Sequence, residues 1–402
     1  MEQAHILRLM PGKRFEIANH QLHIVHAPDD RLQALLRLIV CAETSITLSM
    51  YMFHDDTSGT EVRDALAEAA KRGVFVEMLI DSFGSANIPP SFFQPIVDAG
   101  GRLHYFSSRW RLSYLIRNHQ KILIVDGQHA WIGGYNITDQ YFGRRGNQSW
   151  EDLGLVISGA SVALIANYIA KLIKISADGG VKLLALRRLI REWRPSDGPL
   201  QWLVGGPSNR ISPWALALKR DLQHAQLIDI VAAYFSPTQT ILRRLSKTVR
   251  NGGKVRLVLA GKTDNGATIG AARILYGYLL KRNVQICEFQ PRLLHAKMLI
   301  IDSACYIGSA NLDIRSLFIN KELMLRIDDA GLAEYLRSVA HDLAQESEVQ
   351  TQELHRNRLS WFNRLRWSLA YLLVNSVDYN IGRRISTRIT RTLRRTIPKR
   401  LS

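Results

Sequence analysis

Residues 118–136 read N-H-Q-K-I-L-I-V-D-G-Q-H-A-W-I-G-G-Y-N. The apolar run Ile122–Val125 is mostly β-branched and is bounded by Asp126-Gly127, which predicts a buried strand. Positions i and i+2 of a strand share a face, so His119 and Lys121 project together. An imidazole then stands beside a fixed positive charge. Gly133-Gly134 lets the backbone pass close to a neighbour, and Asn136 adds an amide. A single copy of this pattern fits polar capping of a buried strand at least as well as it fits a site.

The pattern occurs twice. Residues 294–311 read L-H-A-K-M-L-I-I-D-S-A-C-Y-I-G-S-A-N. His295 and Lys297 repeat the spacing, Asp302 follows its lysine as Asp126 does, and Gly308-Ser309-x-Asn311 repeats Gly133-Gly134-x-Asn136. Packing alone does not require two such matches 176 positions apart. The doubled H-x-K-x4-D, followed by G-[GS]-x-N, resembles the signature of the phospholipase D superfamily, in which two copies build one active site.

The flanks repeat as well. A strand at Ser45–Phe53, a helix from the Asp56-Thr57-Ser58 cap through Glu61–Arg72, and a strand at Val74–Ile80 are expected. Leu227–Phe235, Thr238–Arg250 and Val255–Leu259 follow the same order. The duplication covers most of residues 22–160 and 205–330. Strand–helix–strand alternation argues an α/β sheet with right-handed crossovers in each half. The expected fold class is α/β, with two duplicated sandwich domains, residues 1–195 and 196–350, divided at Ser196-Asp197-Gly198-Pro199. Residues 1–20 read as an irregular lead. Residues 351–402 have no counterpart and read as a basic helical tail. The resemblance implies a pseudo-twofold axis with both motifs meeting in one cleft.

The chain has 402 residues and a formal net charge of +18, which implies an anionic partner. Three cysteines without metal spacing argue against a disulfide framework. Met1–Arg14 lacks the apolar core of a signal peptide, and no run of 18 apolar residues exists. Segment 356–402 holds twelve Lys/Arg and one acid, Asp378. Ile381, Ile385, Ile389, Leu393 and Ile397 recur every four residues with arginines between them, and Trp361, Phe362 and Trp367 precede them. That suits a helix lying on an anionic phospholipid membrane; nucleic acid is the weaker reading. Ser107–Arg117, with Trp110, Tyr114 and Leu115 among its arginines, suits the mouth of a lipid cleft as well as it suits a surface loop with one packed tryptophan.

A neutral imidazole can attack phosphorus to give a phosphohistidine. A second can protonate the leaving alkoxide and then deprotonate an incoming hydroxyl. Lys121, Lys297, Asn136, Ser309 and Asn311 can hold the non-bridging oxygens. The spacing asks for no metal or cofactor. The resemblance implies His119 as nucleophile and His295 as general acid/base. Asp126 and Asp302 complete its catalytic signature, although their place after the strand suits a turn or an ion pair. Family members carry an acid on the strand after the motif. Asp152 is expected to orient His119, with Glu151 as its rival, and Glu322 to orient His295. With Asp81–Ser85, Ala233–Pro237, Arg292–Lys297 and Gly308–Asp313, the chain looks most like bacterial cardiolipin synthases of the short type without transmembrane helices. The resemblance implies phosphatidyl transfer between two phosphatidylglycerols, releasing glycerol. Hydrolysis of phospholipid to phosphatidic acid, or of a nucleic-acid phosphodiester, would use the same residues. The implied location is peripheral, on the cytoplasmic side of the cell inner membrane.

Overall fold

The computed structural model describes residues 9–107, 116–144, 148–177, 180–196, 198–208, 211–372 and 374. Eight strands form the first sheet: β1 Lys13–Ile17, β2 His20–Val25, β3 Ser45–Met50, β4 Phe75–Asp81, β5 Arg102–Phe106, β6 Ile122–Val125, β7 His129–Gly133 and β8 Gly154–Ser158. Their order is β1-β2-β8-β7-β6-β3-β4-β5. The later strands are β9 Leu200–Val204, β10 Leu227–Ala232, β11 Phe235–Ser236, β12 Lys254–Ala260, β13 Gln285–Phe289, β14 Lys297–Ile301, β15 Ala304–Gly308, β16 Leu312–Asp313, β17 Leu323–Asp328 and β18 Ser347–Val349. The second sheet runs β18-β13-β12-β10-β14-β15-β17-β9, and β11 pairs with β16 separately. Read backwards from β9, it repeats the order β2-β8-β7-β6-β3-β4-β5. The chain is thus the duplicated α/β sandwich that its repeats imply.

Both motif strands are buried along their whole length, β6 as I-L-I-V and β14 as K-M-L-I-I. A sheet covered on both faces favours continuous apolar runs over alternation. One core is shared between the halves. It joins Ile122, Ile124 and Leu155 to Met298, Ile300 and Leu325, with the helices Ser161–Ala177 and Ala330–Gln345. The opposite face of the first sheet packs Leu123 and Trp131 on the helices Pro28–Val40 and Thr57–Lys71. The helix Thr57–Lys71 starts where its cap was expected, with the Asp56 carboxylate accepting from Gly59 N at 3.0 Å.

The lead is more ordered than expected. Lys13–Ile17 pairs antiparallel with β2 across Ala18-Asn19, both in the left-handed region (φ 48° and 63°). That is a two-residue hairpin turn whose twist matches the strands. Of the five β1 residues only Ile17 is buried, so little apolar periodicity marked the strand.

Two isolated parallel bridges join the halves, Asn118↔Lys321 and Glu151↔Leu294. His119 N donates to Lys321 O (2.9 Å), and His295 N donates to Glu151 O (2.7 Å). The two bridges are equivalents of each other, and each brings the chain entering one motif beside the chain entering the other half's β8 or β17.

Beyond the second sheet lie the helices Gln352–Arg358 and Trp361–Leu372. Trp367 and Ala370 are buried, and Ala370 seats on the helix Gly266–Leu280 at Gly270, where a Cβ would lie 3.1 Å from the Ala370 Cβ. Trp367 is therefore core, a correction to its grouping with bilayer-facing aromatics. Trp361, Phe362, Leu365, Leu369 and Leu372 stay exposed. Among the described residues no helix is long and apolar enough to cross a membrane. Ile381–Ile397 and most of Ser107–Arg117 lie outside the described residues.

Candidate active site

The two bridges set a crossed arrangement. His119 Nδ1 lies 3.0 Å from Glu322 Oε2, and His295 Nδ1 lies 2.7 Å from Asp152 Oδ2. Each imidazole is held by the carboxylate of the other half, which corrects the expected pairing of Asp152 with His119 and Glu322 with His295. The physical reason is the bridging: Glu151 pairs with Leu294, so the next residue, Asp152, faces the second motif. Both carboxylates are fully buried. An ionised carboxylate can only accept, so Nδ1 of each imidazole carries the proton and Nε2 keeps its lone pair. Glu151 is not a rival. It bonds Arg292 Nε (2.7 Å) and pairs with His26, and these partners with Arg31 outweigh burial and hold its carboxyl down at about 2.

Each carboxylate is seated differently. The Ser309 hydroxyl donates to Glu322 Oε2 and accepts from Leu323 N at 3.0 Å. Its donor is spent, so Ser309 positions Glu322 instead of facing a phosphate, a second correction. In the first half this position is Gly134, where a Cβ would lie 2.4 Å from Asp152 Oδ1. The glycine leaves the space that the Asp152 carboxylate occupies.

Lys121 and Lys297 are buried, with Nζ of Lys121 on His119 O at 2.8 Å and Nζ of Lys297 on His295 O. Burial pushes the Lys121 ammonium down to about 7 and the Lys297 ammonium down to about 8, against the pull of Asp152 and Glu322 on both. Burial also lowers both imidazoles. Glu322 opposes the fall at His119 and Asp264 opposes it at His295, while Lys121 and Lys297 deepen it at both. Both histidines are thus neutral near pH 7, the form that can attack or accept a proton. Burial raises the Asp152 carboxyl to about 6, against Lys297 and Arg31.

Asn136 and Asn311 are buried at equivalent places, each with Oδ1 lacking a hydrogen bond. Asn136 Nδ2 lies 3.2 Å from the Tyr141 hydroxyl. Asp126 and Asp302 are not in the cluster. They sit in the turns after β6 and β14 with φ 53° and 51°, five residues beyond the lysines and so roughly 16 Å along the strand. The Asp126 carboxylate accepts from Glu43 N, Thr44 N and Ser45 N, and the Asp302 carboxylate from Gln226 N and Leu227 N. They pin the start of the neighbouring strands β3 and β10. Their inclusion among the catalytic residues is therefore corrected to a turn role.

Several residues were not singled out from sequence. Tyr51 packs edge-on to His119 (4.9 Å between centroids), and Tyr141 (5.1 Å) and Trp150 (5.6 Å) cover His295. Arg31, fully buried, donates to the carbonyls of His26, Tyr141, Trp150 and Asp152 at 2.6–3.0 Å. It clasps the loop that carries both rings and the carboxylate. Nothing local marks it, because its distant acceptors lie more than 100 positions away.

The family described as "Cardiolipin synthase, PLD-like domain" matches residues 35–173 and 218–343. The chain belongs to this family. A cardiolipin synthase A of Pseudomonas fluorescens is 30% identical over 359 residues, covering 86% of this chain and 74% of the relative. A cardiolipin synthase 2 of Bacillus cereus is 30% identical over 346 residues, covering 82% of this chain and 66% of the relative. Among solved structures, phosphatidylserine synthase of Haemophilus influenzae shares the fold, with a TM-score of 0.70 over 96% of this chain and 98% of that one, at 14% identity. Membership in the cardiolipin synthase family rests on both halves, since the match falls on each repeat.

Proposed function

We propose that this protein is a cardiolipin synthase that moves a phosphatidyl group between phospholipids. The observation that carries the reading is two imidazoles, each held at Nδ1 by a carboxylate of the opposite half, with a buried lysine beside each. His119 Nε2 attacks the phosphorus of one phosphatidylglycerol, and the P–O bond to glycerol breaks. The leaving oxygen takes the Nε2 proton of His295, which enters this step as the imidazolium, its second proton taken up from water and its charge balanced by Asp152 and the substrate phosphate. His295 then takes a proton from the headgroup hydroxyl of a second phosphatidylglycerol. That oxygen attacks the phosphohistidine, and cardiolipin forms as the P–N bond breaks. Lys121, Lys297, Asn136 and Asn311 hold the non-bridging oxygens as charge develops. The exchange conserves one phosphodiester, so no nucleotide is consumed. The rings of Tyr51, Tyr141 and Trp150 screen the histidines, whose side chains are only 12% (His119) and 8% (His295) exposed, which favours a lipid hydroxyl over water.

The exposed apolar face of the helix Trp361–Leu372, followed by the basic segment to residue 402, would lay the protein on an anionic bilayer. The location that follows is the cytoplasmic face of the inner membrane, with residues 1–195 and 196–350 as the two catalytic domains and 351–402 as the membrane-associating tail.

The test uses purified full-length protein and vesicles of labelled phosphatidylglycerol. Cardiolipin with free glycerol is expected. Phosphatidic acid without cardiolipin would show a hydrolase, and no lipid product would overturn the reading altogether. In the same vesicles Trp361→Ser/Phe362→Ser/Leu365→Ser should lower cosedimentation; unchanged binding removes the role of that face.

A further inference from the structure

The two sides of the cleft are chemically unequal. Ala232 pairs with Lys297 in the β10–β14 ladder, and carrying that register two residues on sets Tyr234 opposite His295. The Tyr234 hydroxyl donates to Asp264 Oδ1 at 2.5 Å. Thr263 Oγ1 donates to the same oxygen at 2.8 Å. Oδ2 of Asp264 has no hydrogen bond among the described residues, and Asp264 makes no ion pair among them. Asp264 is exposed, and its bond to Tyr234, which stands opposite His295, sets it beside the second motif.

The equivalent positions of the first half carry no such group. The β3–β6 register sets Met52 opposite His119, where the second half has Tyr234. Counting on from Ile80 in β4 and Leu259 in β12 places Ser85 where Asp264 stands. Ser85 is buried, and its hydroxyl accepts from Phe53 N at 3.0 Å. The His119 side instead presents Phe83 with the Arg117 guanidinium 3.8 Å over its ring, and Arg117 and Arg315 both act on Tyr51. A carboxylate at a cleft built for a phosphodiester repels the anion unless something of the substrate donates to it.

We propose that Asp264, held by Tyr234, is a subsite for the hydroxyls of the headgroup alcohol, so that the headgroup lies on the His295 side of the cleft and the acyl-bearing phosphate on the His119 side. The inference rests on the phosphodiester chemistry proposed above, and it separates the two histidines. The imidazole beside the headgroup oxygen is the one that exchanges a proton with it. Partial burial would raise the Asp264 carboxyl, but the hydrogen bonds from Tyr234 and Thr263 and the charge of Lys297 outweigh it and hold the carboxyl below its ordinary value, so the group stays an acceptor. The same subsite takes the glycerol that leaves and the glycerol headgroup that accepts.

The experiment compares the single-turnover rate of headgroup release, per unit substrate, from phosphatidylglycerol and from phosphatidylmethanol, whose headgroup has no hydroxyl, in the full-length protein and in Asp264→Asn and Tyr234→Phe. The preference for phosphatidylglycerol should fall roughly tenfold or more in Asp264→Asn, and in the same direction but less in Tyr234→Phe. Equal losses on both donors, or an unchanged preference in both variants, overturn the subsite. The ratio is readable whether the acceptor is lipid or water. A parent protein that only hydrolyses would thus overturn the synthase reading while this ratio still decides the subsite.

Discussion

The two halves share a sheet order, a motif and a bridge, yet the environments of their histidines differ. His119 meets Tyr51 and a glutamate that Ser309 holds. His295 meets Tyr141, Trp150 and an aspartate seated against Gly134 and bonded by Leu153 N at 2.7 Å. Lys297 Nζ also approaches His295 Nδ1 at 3.0 Å, a contact with no counterpart at His119. Backbone hydrogen bonds set the common frame, so the duplication survives wherever the ladder needs it. Side chains that touch the reacting groups are free of that constraint, and there the halves have diverged.

Crossing the halves gives the largest expected effect. His119→Ala should lower turnover by about 10⁴-fold or more, and Glu322→Gln should follow it because it disorders the same imidazole. His295→Ala and Asp152→Asn should be nearly as damaging on phosphatidylglycerol. A donor with a p-nitrophenol leaving group needs no general acid, so single-turnover phosphatidyl-enzyme formation should recover for the His295–Asp152 pair only. Recovery by His119→Ala would exchange the two roles. Recovery shared by Asp152→Asn and His119→Ala would break the crossed pairing.

The pairing shows what could be read from the chain and what could not. The strands and their helices were legible because each follows from a run of a few residues: I-L-I-V, a cap at Asp56, a stop at Gly73. The candidate histidines and lysines were legible because the repeat is intact. Which carboxylate serves which histidine depends on Asn118 meeting Lys321 and Glu151 meeting Leu294, pairings about 200 and 140 positions apart that no local pattern encodes. Arg31 was invisible for the same reason. It lies in the first turn of an amphipathic helix, where a charge ordinarily faces water, and its burial depends on carbonyls from residues 141–152.

The lysines give the next effect. In the proposed reaction Lys121 and Lys297 act as cations, and burial, which brings them down to about 7 and about 8, means that they lose charge as pH rises through that range. Asp152, near 6, loses its charge as pH falls below that value and releases His295. A bell in kcat/KM is expected, with limbs near 6 and between 7 and 8, reporting the free protein. Lys121→Arg should move the alkaline limb upward, since a guanidinium stays charged. A profile flat from pH 5 to 9 would count against both lysines as phosphate holders.

The smallest effect separates signature from chemistry. Asp126 and Asp302 occupy equivalent turns, but Asp126 accepts from three backbone amides and the Thr44 hydroxyl, whereas Asp302 accepts from two amides. Asp126→Ala should cost about 2–3 kcal/mol of stability and Asp302→Ala about 1–2 kcal/mol. The left-handed φ is common to both sites, so its strain cancels from the difference. Hydrogen bonds from Ser45, Thr44 and Glu43 outweigh burial and hold the Asp126 carboxyl below its ordinary value. Its contribution is therefore full above the unfolded value and fades as pH falls through the folded one. Thermal melts of the parent and Asp126→Ala should converge in acid. Turnover per folded molecule should stay within about tenfold of the parent, set against the 10⁴-fold loss at His119. A loss of histidine size at Asp126 with an unchanged melt would return these aspartates to the reacting centre.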